Sequence, residues 1–436
     1  MEMNNSKQMK DPLGHIVKRD NITIGKKIGI KVIALLLAFI TSSILLGLSE
    51  GVNPFTFLGA LFSGSFGSSI SIWTTLKDLA ILLGLGLALL PAFKMRFWNI
   101  GADGQTLIAA LTSYMCLYFW HDKINGVLLC FICLIVAVLS GIVWAVIPAI
   151  FKAKWNTNET LFTLMMNYVA IQLVAVFINK FSTGGSNTLP VRYEGSLPMI
   201  YEYLTPILII GIVTFVVAMY IRHTKHGFEL SLVGESVNTA KYVGINVKKV
   251  IIRTLIVSGI ICGLIGFILT NGLNHVVNKD TVGGKGFTAI IVVWLANFNP
   301  YYMILTAFMV VFLQRGTAEL LSVTGATNDS IVMIVISIFI FFIIGCTFFS
   351  RYKIMFRRNE EGKIDNKFLA FFAMVFTAIG NFFNKIFNWV KHLFKKNKEE
   401  NVDVVETIEE TKEETKVEET KVEETKEIEN TTKEGE

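Results

Sequence analysis

The sequence predicts an all-α integral membrane protein with about ten transmembrane helices, some of them broken or re-entrant. Three observations carry this expectation. Of 436 residues, 53% are hydrophobic and only 17% charged, with a mean hydropathy of +0.55. The apolar residues fall in repeated runs near the ~20 residues that a helix needs to cross hydrocarbon. Lys and Arg cluster in alternate loops, as membrane orientation requires.

Ile28 to Leu48 is the first run. It is too long for a signal-peptide core and no small-residue cleavage site follows, so a retained span is expected. Lys18, Arg19, Lys26 and Lys27 precede it, which places the arm 1–27 in the cytoplasm. Phe55 to Ile72 is weakly apolar and rich in Gly and Ser, and is expected at the outer surface or as a re-entrant segment. Further runs cover 74–93, 98–119, 126–150, 159–180, 205–222, 250–271, 283–297, 301–316 and 330–349. The loops holding Lys94 and Arg96, Lys152 and Lys154, Arg222 to Arg253, and Arg351 to Arg358 then fall inside. The intervening loops 120–125, 181–204, 272–282 and 317–329 are poorer in cations, as outer loops should be.

Beyond the spans, 351–398 is basic and aromatic. Phe368, Phe371, Phe372, Phe376, Phe383, Phe387 and Trp389 suit a helix lying in the inner interface. An eleventh span is the other reading, but it would export the charged tail 399–436 against the charge bias. That tail repeats EETK and has few core formers, so a solvated or disordered segment is expected. The net charge of +6 hides a split: 401–436 carries about −9 and the remainder about +15. The excess sits mostly at span ends, where orientation explains it and nucleic acid need not. All five cysteines lie inside apolar runs, and the CxxC at Cys130 and Cys133 reads as small hydrophobes on a span.

Three polar stretches interrupt this pattern. "RFWNIGADGQTL", Arg96 to Leu107, crowds Asn99, Asp103 and Gln105 with Gly101 and Gly104 between two spans. Such a break frees backbone groups for a solute; equally, it is a loop closing on a small-residue helix start, with Asp103 favoured by the helix dipole. "NTNETLFTLMMNYVAIQL" follows at 156–173. Asn156 and Glu159 have capping-box spacing, and Thr163 and Asn167 share one helix face. Asn167 lies about 12 Å along the helix from Glu159, at membrane depth. Its amide suits a hydroxyl or base edge, or a hydrogen bond between helices. Last, 226–250 is too polar to span. Its stretch Ala240 to Gly244 reads as a short helix ended by glycine, able to dock a partner or simply to connect two spans. No GxxxxGK[ST], HExxH, nucleophile elbow or paired-carboxylate pattern occurs, so ATP binding through a P-loop, or enzyme chemistry of these kinds, is not expected.

In this order the stretches resemble the membrane permease of an ABC importer of the ribose and branched-chain amino-acid class, above all its nucleoside-uptake branch. Phe97, Asn99, Ile100, Gly101, Asp103, Gly104 and Gln105 resemble F-N-I-G-x-E-G-Q, with Trp98 inserted. Asn158, Glu159, Thr163, Leu164, Met165, Asn167 and Tyr168 resemble N-E-x-x-x-T-L-M-x-N-Y. Gly234, Glu235, Asn238, Ala240, Gly244 and Ile245 fit a coupling stretch loosely. "SGIICGLIGFI" at 258–268 and "GKGFTAIIVVWLANFNP" at 284–300 complete the series, with Thr288 and Ala296-Asn297 departing from it. The resemblance covers about 28–350.

What it implies is a permease body at 28–350 that catalyses no reaction and holds no cofactor, ATP being used by a separate ATPase. The ATPase would dock on 226–250 through Gly234, Glu235, Asn238, Ala240 and Gly244. The solute path would involve Trp98, Asn99, Gln105, Asn167 and Phe287. Implied partners are the ATPase, a second permease subunit and an extracytoplasmic solute-binding lipoprotein, in the cell membrane with both termini cytoplasmic. The alternatives are a permease of this class for simple sugars or branched-chain amino acids, and an ion-coupled secondary transporter. The last would usually carry ionisable residues in mid-span, whereas Asp78, Asp103 and Glu159 fall near the ends of the predicted spans.

Overall fold

The computed structural model describes residues 14–18, 24–182, 188–198, 200–201, 203–325 and 330–356. It divides into two compact units, Met1–Leu36 with Gly345–Glu436, and Leu37–Ile344. In the first, β1 (Gly14–Lys18) pairs antiparallel with β2 (Tyr352–Phe356). This ribbon is absent from the all-α expectation. Ile16, Val17 and Tyr352 supply β-branched and aromatic residues that favour it. The expected interfacial helix and the tail 399–436 lie outside the described residues.

The chain otherwise forms α1 (Ile24–Glu50), α2 (Pro54–Phe66), α3 (Ser69–Lys94), α4 (Ala102–Trp120), α5 (Gly126–Trp155), α6 (Glu159–Phe181) and α7 (Leu204–His223). There follow α8 (Lys225–Glu235), α9 (Val237–Tyr242), α10 (Val247–Phe267), α11 (Lys285–Leu295), α12 (Pro300–Thr324) and α13 (Ser330–Arg351). A π-helical turn, Ile268–Asn274, extends α10.

Seven helices among the described residues are long and apolar enough to cross a membrane: α1, α3, α5, α6, α7, α10 with its π turn, and α12. The expected ten is therefore not reproduced. The segments 98–119 and 283–297 are helical over Ala102–Trp120 and Lys285–Leu295 but fall short of the seven, and 330–349 lies within α13. The polar first turn of α4 lowers its hydropathy. The 11 residues of α11 extend about 16 Å, half of a hydrocarbon core. Helix α13 runs over 22 residues, Ser330–Arg351, a length within the range of a crossing helix.

Helix α5 shows how the sequence sorts its faces. Val127, Phe131, Ile135, Leu139 and Val143 recur every four residues and are exposed, as a lipid-facing stripe would be. Opposite them Leu129, Cys133, Ala137, Gly141 and Ala145 are fully or almost fully buried. The small residues Ala137 and Gly141 let α10 approach to backbone contact. A Cβ on Gly141 would stand 2.6 Å from the Gly259 carbonyl oxygen, and one on Gly263 2.6 Å from Val138 Cα. Close packing of this kind, rather than hydrophobic expulsion from water, holds helices together in lipid.

The junction of α5 and α6 differs from the predicted capping box. Asn156 is left-handed at φ 53° and closes α5, while Asn158 Oδ1 accepts from Leu161 N at 3.2 Å and caps α6. Glu159 turns instead to Lys152, 2.8 Å away.

Candidate functional site: a polar break beside a half-helix

Between α3 and α4 the chain stays irregular from Met95 to Gly101, with Arg96 left-handed at φ 59°. The segment is folded inward: Phe97 and Asn99 are buried. Every polar atom of the Asn99 side chain is engaged. Its Oδ1 accepts from Gly101 N (3.1 Å) and Gln105 Nε2 (3.2 Å), and its Nδ2 donates to Ser258 Oγ on α10 (3.2 Å).

Helix α4 has no side-chain cap of its own. Helix α6 supplies one from outside. Asn167 Oδ1 accepts from Gly104 N and its Nδ2 donates to the Ile100 carbonyl, both at 2.8 Å. One turn earlier Thr163 Oγ1 accepts from Ile100 N at 3.1 Å. The first N–H groups of a helix need such partners, and inside a membrane water does not provide them. Gly104 is required by the same contact: a Cβ there would stand 2.8 Å from Asn167 Oδ1.

Helix α11 enters from the opposite side. Its second residue, Gly286, donates its N–H to Asp103 Oδ1 at 2.8 Å. A Cβ on Gly286 would lie 2.8 Å from Asp103 Cγ, so two helix starts meet around one carboxylate. Among the described residues Asp103 Oδ2 has no partner.

Two cavities open beside this junction. The smaller, about 140 Å³, is lined among others by Asp103, Gly104, Asn167, Tyr168, Phe287, Lys279 and Asp280. The larger, about 650 Å³, lies at the basic end of the helices and takes in Lys94, Arg96, Trp98, Arg222, Glu235 and Trp294. Trp98 and Trp294 face each other there with ring centroids 5.3 Å apart. Phe287 and Trp294 are seven residues apart, two turns along one face of α11, and both are exposed. One face of the half-helix thus touches both cavities. Asn297 and Phe298, also in the larger cavity, are left-handed at φ 49° and 58°. Neither is glycine, the residue that adopts such angles without strain.

Of the residues that the sequence places on a solute path, the structure exposes Trp98 and Phe287 and puts Asn167 at a cavity edge. Asn99 (0% exposed) and Gln105 (1%) border neither cavity. Their amides are turned inward to each other, and Asn99 also to Ser258; they brace the break. Asp103, read from the sequence as a helix-start carboxylate, does border the smaller cavity. The signal that could have singled it out is a carboxylate between glycines with no cation near it in sequence.

The stretch 226–250 folds as α8 and α9. Ser236 Oγ caps α9 through Thr239 N at 3.2 Å, and Gly244, at φ 87°, follows its end. Gly234 lies against α3, where a Cβ would stand 2.1 Å from the Lys94 carbonyl oxygen. Ala240 is buried in an apolar cluster with Met95, Phe97 and Leu230. Glu235, Asn238 and Tyr242 are exposed, Tyr242 at 93%. So α8 and α9 rest on the segment that leads into the polar break.

The sequence pattern of the branched-chain amino acid transport system permease component matches residues 69–344. The chain belongs to this family. It is a membrane-spanning permease subunit of an ABC importer and not an enzyme, and ion-coupled secondary transport is set aside by that membership. Among relatives, the guanosine ABC transporter permease protein NupP of Bacillus subtilis (strain 168) is 28% identical, over 72% of this chain and 92% of its own length. The nucleoside ABC transporter permease protein NupB of Lactococcus lactis subsp. cremoris (strain MG1363) is 26% identical, over 73% of this chain and 91% of its own. The glucose ABC transporter permease protein TsgB13 of Haloferax volcanii is also 26% identical, over 71% and 86%. No solved structure matches.

Proposed function

We propose that this permease imports nucleosides across the cell membrane, along a path that follows the exposed face of α11 from the smaller cavity to the larger. The continuity of that face, with Phe287 in one cavity and Trp294 in the other, carries the reading. Aromatic rings spaced along a path offer a planar base successive weak stacking contacts, and weak serial contacts suit conduction better than one tight site. Trp98 and Phe287 touch the solute, Asn167 holds the cavity wall, and Asn99 and Gln105 support it from behind. The two relatives named for nucleosides or guanosine cover most of the chain and favour this cargo.

In this scheme the permease body is 28–350, both termini are cytoplasmic, and a second permease subunit completes the path. A solute-binding lipoprotein delivers cargo outside. A separate ATPase, which binds and hydrolyses the ATP, docks on 226–250 through Glu235, Asn238 and the exposed Tyr242. Gly234, Ala240 and Gly244 keep those helices in place. Because α8 and α9 rest on Met95 and Phe97, movement of the ATPase would reach the polar break directly.

The test is uptake of labelled guanosine, adenosine and glucose by cells expressing the complete importer. Saturable nucleoside uptake that needs the ATPase is expected. Glucose uptake without nucleoside uptake would transfer the chain to the sugar-carrying members of the class.

A further inference from the structure

Asp103 combines two properties that a purely structural carboxylate does not need. It is more than nine-tenths buried, and only one of its oxygens is used. Among the described residues no Lys, Arg or His nitrogen lies within 4.0 Å of it, whereas Asp78 has three such neighbours. A buried acceptor left without a donor is unfavourable, and it becomes favourable when a ligand supplies the donor. The same residue bounds the smaller cavity, whose wall also carries the exposed rings of Tyr168 and Phe287.

This combination defines the ligand's chemistry. An ionised carboxylate accepts hydrogen bonds and cannot give them, so the group it meets presents N–H or O–H donors. The two rings call for a flat partner. The N-terminal ends of α4 and α11 converge on this carboxylate. The cavity, about 140 Å³, suits one ring system rather than a whole nucleoside. A guanine-type base has both features: it is planar, and its ring amide N–H and exocyclic amine stand side by side on one edge. We infer that Asp103 is the specificity-determining acceptor for the donor edge of a guanine-type base, with Tyr168 and Phe287 against its face. This assignment rests on the nucleoside reading given above.

Asp103→Asn separates this role from helix capping. The amide oxygen still accepts from Gly286 N, but the free position becomes a donor. The measurement is competition against labelled guanosine uptake in cells carrying the assembled importer. The competitors are guanosine, purine riboside, which lacks both donors, and 2′,3′-dideoxyguanosine, which keeps the base edge and lacks the diol. The wild-type importer is expected to prefer guanosine over purine riboside by about tenfold or more, as for one charge-assisted hydrogen bond, and to accept the dideoxy compound nearly as well. In Asp103→Asn the preference for guanosine over purine riboside should collapse. Phe287→Leu and Tyr168→Leu leave Asp103 in place and should weaken both purines alike, which keeps the assignment testable if the Asn variant transports too little to titrate.

An unchanged preference in Asp103→Asn, or ring variants that compete like wild type, overturns the assignment while leaving nucleoside import intact. Discrimination against the dideoxy compound instead of purine riboside overturns it in favour of ribose recognition. Absence of any nucleoside uptake by the wild-type importer overturns the nucleoside reading and this inference together.

Discussion

Asp78 and Asp103 both hold the first turn of α11, one through the Lys285 side chain at 3.4 Å and the other through the Gly286 N–H at 2.8 Å. Their surroundings are opposite. Asp78 is bonded to Lys285 and Arg315, with Lys77 close by, so three cations share one carboxylate. Among the described residues Asp103 has no ion-pair partner, and one of its oxygens has no partner of any kind. At Asp78 the carboxylate offsets a cation placed at a helix start, where the dipole disfavours it. At Asp103 the helix start itself is the partner. Charge inside a membrane protein is commonly read as function, but here it depends on how many groups already claim each oxygen. Asp78 is a clasp between α3, α11 and α12. Asp103 is a clasp with one position open.

The comparison is tested most severely at Asp78. Asp78→Asn would leave three cations together in a partly buried setting, and loss of one partner from a buried ionic group costs about 3–5 kcal/mol. Partial exposure of these side chains puts the expected loss toward the lower end of that range. Thermal unfolding of the purified protein in detergent should show a large fall in midpoint, partly restored when Lys285→Gln removes one of the stranded charges. Gly286→Ala acts on the other clasp. Its Cβ would press on Asp103 Cγ and on Asp103 N at 3.0 Å, and forced overpacking costs about 1–3 kcal/mol. The midpoint should fall less than for Asp78→Asn, and guanosine uptake should fall more than stability does, because the smaller cavity is displaced.

Asn167→Ala removes two hydrogen bonds from the start of α4, each worth about 0.5–1.5 kcal/mol, and leaves the Ile100 carbonyl and Gly104 N–H unpaired. Assembled importer, quantified in membranes, should decline in step with uptake. Uptake that declines while assembly holds would move Asn167 from the cavity wall to the solute.

Much of this junction was legible from sequence as composition and not as contact. The clustering of Asn99, Asp103, Gln105, Thr163 and Asn167 in otherwise apolar runs marked two of the strands of chain that meet. What the polar groups do there depended on partners far away: Ser258 is 159 residues from Asn99, and Gly286 is 183 from Asp103. Hydropathy also misplaced the charges. The apolar run 74–93 puts Asp78 near a span end, but α3 begins at Ser69, about 13 Å earlier along the axis. Likewise 301–316 ends the span at Arg315, whereas α12 continues to Thr324. A span is read to stop at its charges when those charges are assumed to face lipid. Arg315 and Asp78 neutralise one another across two helices, so both helices run on past them.

Lys285→Met is the smallest and sharpest of the expected effects. It deletes the one side chain through which Asp78 reaches α11, yet Asp78 keeps Arg315 and loses no buried acceptor. The ion pair removed is long at 3.4 Å and about a third exposed, so its own contribution should fall within about 1 kcal/mol. Removing a cation from the first turn of α11 also relieves an unfavourable dipole interaction worth about 0.3–1 kcal/mol. The two terms oppose, and the unfolding midpoint should move little in either direction. Guanosine selectivity should not move at all if Asp103 alone sets it. A midpoint loss as large as that of Asp78→Asn would show that the clasp works through Lys285 and not through Arg315. A changed selectivity with an unmoved midpoint would show that the two aspartates act on α11 as one unit, and the contrast between them would fail.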